Sequence, residues 1–241
     1  MSTKLKKELD SFSTIWKTGY FTRVDAHERN IPQIILYLQD NIEKGLNILE
    51  IGCGKGFWSK EIYERLDPNK LTCIDAKSEE QNGFWKYVGE PKKDKTVYHH
   101  VTNFNLDEVP DNSLDFVFSY DVFVHMSLSG QSEYLKNLFK KCKTNAKLLI
   151  SYADARKYSQ VNNIRPSIEG CVPYDELVKC KNLDEAIDLV EKECDTHYVA
   201  GQWFWVGKKK FLDMCDKFGY KVITEDLDID KVNRLTLFEK P

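Results

Sequence analysis

From about residue 30 onward, runs of apolar residues at helical spacing alternate with short continuous apolar runs. Ile31, Ile34, Ile35, Leu38 and Ile42 form a helical stripe that ends near Gly45, with Asn30 expected to cap it and Pro32 in its first turn. Leu46 to Ile51 then reads as a buried strand closed by a glycine cluster, and Trp58, Ile62 and Leu66 mark a second helix over Phe57 to Leu66. Leu71 to Asp75 and Leu114 to Ser119 are further short strands. A helix carrying Leu135, Leu138, Phe139 and Cys142 leads to a strand at Lys147 to Tyr152. This rhythm predicts a doubly wound α/β fold, a parallel sheet with helices on both faces.

The last third changes pattern. Leu183, Ala186, Ile187 and Val190 predict one helix, and Phe211, Met214, Cys215 and Phe218 another that Gly219 stops. Tyr220 to Thr224 and Arg234 to Phe238 can pair across the acidic turn Glu225 to Asp230, which would give the sheet one antiparallel strand. The stretch from Asp154 to Val206 is long for a strand-to-helix connection and suggests a substrate lid. With no repeat or low-complexity linker, the chain reads as one domain. It divides into an extension at 1–30, a core at 31–152, an insertion at 153–206, and a terminal helix and hairpin at 207–241.

Composition narrows the function classes. With 241 residues, 41% of them apolar, area scaling gives about 73% of the surface buried on folding, enough for one sizeable core. A net charge of −3 provides no general field for polyanions, so nucleic acid is not the expected partner. The lysines at 92, 93 and 95 and at 208 to 210 read as solvated faces. No apolar run reaches the roughly 20 residues of a membrane helix, and a soluble, cytoplasmic protein without membrane partners is expected. Seven cysteines without a Cys-x-x-Cys pair argue against a zinc site or disulfide framework, and no metal is expected.

Glu50-Ile-Gly-Cys-Gly-Lys-Gly56 lies where a strand hands over to a helix, the place where such sheets bind ligands. A dinucleotide loop would need a third glycine at position 57, which is Phe57, and no Gly-Lys-Ser/Thr follows for a nucleotide phosphate. A zwitterionic ligand with a nucleoside end suits the loop better. Glu50 is placed to orient the loop or attract an ammonium group, and Asp75, at the next strand's tip, to accept two ribose hydroxyls. S-adenosylmethionine has both ends.

Asn47-Ile-Leu-Glu-Ile-Gly-Cys-Gly-Lys-Gly56 resembles the first motif of class I S-adenosylmethionine-dependent methyltransferases, and Asp75 matches that family's ribose-binding acid. Asn103-Phe104 and Pro110 to Ser119 look like the adenine-contacting position and the fourth strand, with Asn103 where the family usually has Asp. Val122-Phe-Val-His125 matches the segment that often follows. The resemblance implies a Rossmann-like seven-stranded, mostly parallel sheet with a C-terminal antiparallel hairpin. It implies S-adenosylmethionine held by Glu50, Gly52, Cys53, Gly54, Gly56, Asp75, Ala76, Asn103, Phe104, Ser119 and Tyr120.

Methyl transfer from a sulfonium needs mainly alignment and exclusion of water, and a hydroxyl acceptor also needs its proton removed. His125, just past the fourth strand, either takes that proton or ties its loop to a backbone carbonyl. His197 is a second candidate, while His99 and His100 are expected just before a strand as surface or packing residues. Ser119-Tyr-Asp-Val lacks the Pro-Pro-aromatic signature of nucleobase amino-methyltransferases, and Asp121 and Asp154 remain as a base or as grips for acceptor hydroxyls. Arg156, Tyr158, Arg165, Tyr174, His197, Tyr198, Gln202, Trp203 and Trp205 give the insertion a sugar-binding composition, unless its aromatics simply pack. Trp16, Tyr20 and Arg23 of the extension either cover the donor or make dimer contacts.

The expected function is methylation of a small polar acceptor, with O-methylation of a sugar, nucleotide sugar or glycan precursor favoured. The alternatives are N-methylation of an amine, a non-catalytic cofactor-binding regulatory domain, and a nicotinamide dehydrogenase. Oligomeric state is open, with a homodimer among the options.

Overall fold

In the computed structural model, the described residues are 6–8, 10–11, 30–161, 171–193, 195 and 203–241. His197 falls outside them, as do Trp16, Tyr20, Arg23 and His27 of the extension and Arg165, Tyr198 and Gln202 of the insertion.

Seven strands form one sheet: β1 (Asn47–Ile51), β2 (Lys70–Asp75), β3 (Thr96–His100), β4 (Leu114–Ser119), β5 (Cys142–Ala153), β6 (Lys221–Thr224) and β7 (Asn233–Glu239), in the order β3-β2-β1-β4-β5-β7-β6. The strands from β1 to β5 pair in parallel, and β7 runs antiparallel to both β5 and β6. The order reverses between β1 and β4, so the crevice for a ligand opens outside their carboxyl ends.

Helices α1 (Ile31–Asn41) and α2 (Phe57–Leu66) cover one face; α3 (Glu79–Asn82) and α4 (Phe84–Val88) follow β2. Ile34, Leu38, Ile62 and Leu66 pack there with Phe116, Phe118 and Leu235. The other face carries α5 (Leu128–Lys141) and α9 (Lys208–Lys217), whose Leu135, Leu138, Phe211 and Met214 meet Val117, Leu148 and Ile150. Between β5 and α9 lie α6 (Ala155–Ser159), α7 (Tyr174–Leu177) and α8 (Leu183–Lys192). Ala186, Ile187 and Val190 build a small third cluster with Trp205, seated on Ala153 of β5 and on Val124.

Four local expectations are corrected. Asn30 makes no side-chain cap; its side chain is hydrogen-bonded to the Tyr120 hydroxyl instead. His99 and His100 do not precede a strand but belong to β3, a strand whose mixed Thr96-Val-Tyr-His-His100 pattern carries weak periodicity. The strand expected at Lys147 to Tyr152 starts at Cys142, because its first half pairs only at the edge of β4 across an irregularity. Leu183 lies off its helix's buried face.

Among the described residues, no helix is long and apolar enough to cross a membrane, and no group of three or more His, Cys, Asp or Glu could hold a metal ion. The basic clusters are locally balanced: Lys92 pairs with Glu64, Lys95 with Asp67, Lys208 with Glu225 and Lys209 with Asp213, while Lys93 lies over the Trp85 ring.

Candidate active site

The glycine loop between β1 and α2 is bound into the sheet edge by its own amides. Gly52 and Cys53 both donate to the Ile74 carbonyl, at 2.8 and 3.2 Å, and Gly56 donates to the Cys53 carbonyl at 2.8 Å. Gly52 has φ 73°, and a Cβ there would lie 2.3 Å from Cγ2 of Val122, just past β4. Gly56, at φ 93°, likewise has no room beside Val88. Both positions require glycine, for backbone conformation and for close approach.

Two acids hold this loop from opposite sides. Glu50, 2% exposed, accepts from the Ser59 hydroxyl of α2 at 2.5 Å and lies 3.8 Å from the Cys73 thiol of β2. Of the two roles open in the sequence, it serves to orient the loop. Burial pushes its carboxyl up to about 7, against the lowering effect of Ser59. Asp75 accepts the Gly54 amide on Oδ2 and the Lys77 amide on Oδ1, each at 2.9 Å, and also bonds Asn82. Burial raises its pKa despite these donors. A carboxylate has about four acceptor directions, so one remains for a ligand hydroxyl.

The other expected donor-site residues divide. Ser119 is buried, and its hydroxyl donates to the Ile51 carbonyl at 3.2 Å, locking β4 to β1 beneath the loop. Cys53 is buried among Cys73 and Tyr98, which pushes its thiol up. Ala76 is half-buried, with its carbonyl 3.1 Å from His100 Nε2. Phe104 is fully buried, edge-on to Tyr134 at 4.7 Å. Asn103 accepts the Asn105 amide on Oδ1 at 2.7 Å, an Asx turn that uses part of the oxygen expected to meet adenine. The Tyr120 hydroxyl donates to Asp230 at 2.7 Å and is bonded to Asn30, and its ring lies 5.4 Å from that of Trp58 in the first turn of α2.

On the acceptor side, Asp121 has φ 60°, a conformation Asp tolerates better than most residues, and its amide donates to the Ser151 hydroxyl of β5 at 2.7 Å. His125 is half-buried and ends a 3-10 turn over Phe123–His125. Gln131 of α5 clamps that turn, donating through Nε2 to the carbonyls of Phe123 at 2.8 Å and Met126 at 3.0 Å. Neither Ser151 nor Gln131 has a signal in the sequence. Each is an ordinary polar residue in a strand or helix, made structural by what lies opposite.

Two expectations for the insertion change, and of the two readings open for its aromatics the packing one is seen for Trp203 and Trp205. Asp154, 1% exposed, accepts from Lys157 N, Lys208 N and Arg234 Nε, so it is neither a base nor a grip for acceptor hydroxyls. Arg156 is paired with Asp184 and Asp188 within the insertion. Trp203 and Trp205 pack with Tyr158 at ring distances of 5.2 to 5.3 Å, and Trp205 is 1% exposed, so these rings form the insertion's core.

Comparison with known proteins agrees with this geometry. A family profile described as a methyltransferase domain matches residues 23–225. The malonyl-[acyl-carrier protein] O-methyltransferase 1 of Ilyobacter polytropus is 22% identical over 179 residues, 71% of this chain and 64% of that protein. The chain therefore spans less than two thirds of that relative's length. An S-adenosylmethionine-dependent methyltransferase from Aquifex aeolicus superposes with a TM-score of 0.59 at 17% identity, covering 98% of both chains. The N-methyltransferase NodS of Bradyrhizobium japonicum, solved with S-adenosylhomocysteine, gives 0.58 at 11% identity over 99% of both. The strand order, the glycine loop closed on Asp75 and the match over residues 23–225 together show that the chain belongs to the methyltransferase domain family, whose class I members use S-adenosylmethionine as donor.

Proposed function

We propose that this chain transfers the methyl group of S-adenosylmethionine to a hydroxyl of a small polar acceptor, with a sugar or nucleotide sugar as the favoured class. The observation that carries this reading is the 2.9 Å bond from the Gly54 amide to Asp75. It couples the glycine loop to the one carboxylate placed to hold a ribose, and it leaves that carboxylate an acceptor direction. The donor set fits the cofactor: glycines without side chains for a close approach, and an acid at the tip of β2 with an acceptor direction left for a ribose hydroxyl.

When bound, the cofactor supplies an electrophilic methyl on a sulfonium. Asp75 orients the ribose, and Gly52, Gly54 and Gly56 let the backbone approach the amino-acid end. Asn103 meets the adenine edge with its remaining capacity. Glu50 and Ser119 fix the loop from below. On the acceptor side, His125 removes the hydroxyl proton as the methyl transfers, held by the Gln131 clamp on its turn, and Asp121 orients the acceptor.

Calorimetry with S-adenosylmethionine tests the donor half. The unaltered chain should bind, and Gly52→Val and Asp75→Ala should each weaken binding at least about tenfold, or about 1.4 kcal/mol. Equal affinity in both variants refutes the site. Labelled donor with nucleotide sugars tests the acceptor half. Transfer to amines that survives His125→Ala would replace O-methylation by N-methylation, since an amine acceptor needs less of a base.

A further inference from the structure

The turn that follows β2 is framed by the edge strand beside it. Asp75 accepts the amides of Gly54 and Lys77 at 2.9 Å each and is also hydrogen-bonded to Asn82 of α3. The same Asn82 donates through Nδ2 to the Tyr98 hydroxyl of β3 at 2.8 Å, and that hydroxyl donates to the Lys77 carbonyl at 2.7 Å. Asp75, Lys77, Tyr98 and Asn82 thus close a ring of hydrogen bonds, in which Asp75 holds the Lys77 amide and Tyr98 its carbonyl. Asp75 is half-buried, at the strand tip that borders the crevice.

Tyr98 is fixed in turn by packing. Its ring stands edge-on to Phe84 at 4.8 Å, and Phe84 with Val88 fills the space beside Gly56. The ring of bonds therefore meets the glycine loop twice, at Gly54 through Asp75 and at Gly56 through Phe84.

The sheet does not need these side chains, because β2 and β3 pair through their backbones from Leu71 with Thr96 to Asp75 with His100. The turn does not need them either, since the bond from the Lys77 amide to Asp75 already closes it as an Asx turn. What Asn82 and Tyr98 add is restraint on the carboxylate. Of its roughly four acceptor directions, Gly54, Lys77 and Asn82 use three, so a ligand hydroxyl finds a single direction already set. An acceptor fixed before the ligand arrives removes that ordering cost from binding. We infer that Asn82 and Tyr98 are positioning residues for the cofactor, holding the Asp75 carboxylate so that its open direction meets a ribose hydroxyl. The inference rests on the assignment of Asp75 to the ribose: Asp75 touches the cofactor, and Asn82 and Tyr98 act through it.

The test compares, by calorimetry on the full chain, affinity for S-adenosylhomocysteine and for its 2′,3′-dideoxy analogue, which lacks both ribose hydroxyls. The unaltered chain should bind the analogue at least about tenfold more weakly, the scale of a lost hydrogen bond to a charged group. Tyr98→Phe keeps the ring on Phe84 and removes only the hydroxyl, and Asn82→Ala removes the bond to the carboxylate. In each variant the preference for the ribose hydroxyls should shrink to about threefold or less, because a carboxylate free to turn holds them poorly. A variant that weakens both ligands equally has lost general structure alone, and an unchanged ratio of affinities overturns the inference. Should one variant fail to fold, the other carries the same comparison. If the unaltered chain binds the two ligands equally, the assignment of Asp75 to the ribose falls first, before any substitution is made, and this inference with it.

Discussion

Glu50 is a carboxylic acid held where water does not reach. Its folded pKa of about 7 stands above its ordinary 4.5, so the folded chain keeps a proton that the unfolded chain releases between those values. The associated stability is fully present below about pH 4.5 and is lost as pH rises through about 7, a swing of about 3 kcal/mol. Glu50→Gln keeps an oxygen for Ser59 and removes the titration. Denaturation of the two proteins from pH 4.5 to 8 should therefore show the unaltered chain losing stability relative to the variant as pH rises. Parallel curves would mean that no proton is linked to folding at this position. The sequence left Glu50 two roles, orienting the loop or attracting an ammonium group, and only its burial against the Ser59 hydroxyl favours the first. Val122, which fills the space left by Gly52, was not legible as its partner, because the two meet only across the β1–β4 crossover.

Helix α5 shows the same limit one level up. Its apolar stripe was readable; its start rests on the Ser127 hydroxyl, which accepts the Gly130 amide at 3.1 Å, and on two carboxylates that reach it from a distance and that no local pattern shows. Glu8, 3% exposed, accepts both the Ser127 amide and the Ser127 hydroxyl at 2.7 Å, in the space a Cβ on Gly130 would occupy. Asp195 of the insertion accepts the amide and hydroxyl of Ser129 at 3.1 and 2.6 Å. Two carboxylates from segments far apart in sequence thus complement one positive helix end, two residues beyond His125. Glu8→Ala should cost about 1–2 kcal/mol in chemical denaturation and open the bonds after Lys6 and Lys7 to trypsin. Unchanged cleavage would show that the anchor does not hold in solution. β3 escaped the sequence reading for a related reason. As an edge strand half covered by α3, it needs no strict alternation of apolar and polar residues.

Across the whole molecule, the insertion is bound to the terminal hairpin by charge. Arg234 of β7 bridges Asp154, at 2.5 Å, and Asp226, at 3.2 Å, and Lys157 of α6 reaches Asp226 at 2.6 Å. Arg234→Met would leave the buried Asp154 without its counter-charge while Asp226 keeps Lys157, at a cost of about 3–5 kcal/mol in urea denaturation. Adding Asp154→Asn should recover part of that loss by removing one uncompensated charge, and an additive further loss would contradict the network. This network also explains why Asp154 read as chemically available in the sequence: beyond its local cap on Lys157, its partners Lys208 and Arg234 lie 54 and 80 positions away, outside any local pattern.

The reversed direction of β7 bears on how the protein can be handled. Glu239 pairs with Lys147, so the strand leaves the sheet at the rim opposite the glycine loop, roughly 20 Å away for a seven-residue strand. A fluorophore or affinity handle joined after Pro241 would hang below the sheet and leave the mouth clear. One spliced into the turn between β6 and β7 would stand across the entrance and obstruct whatever has to pass.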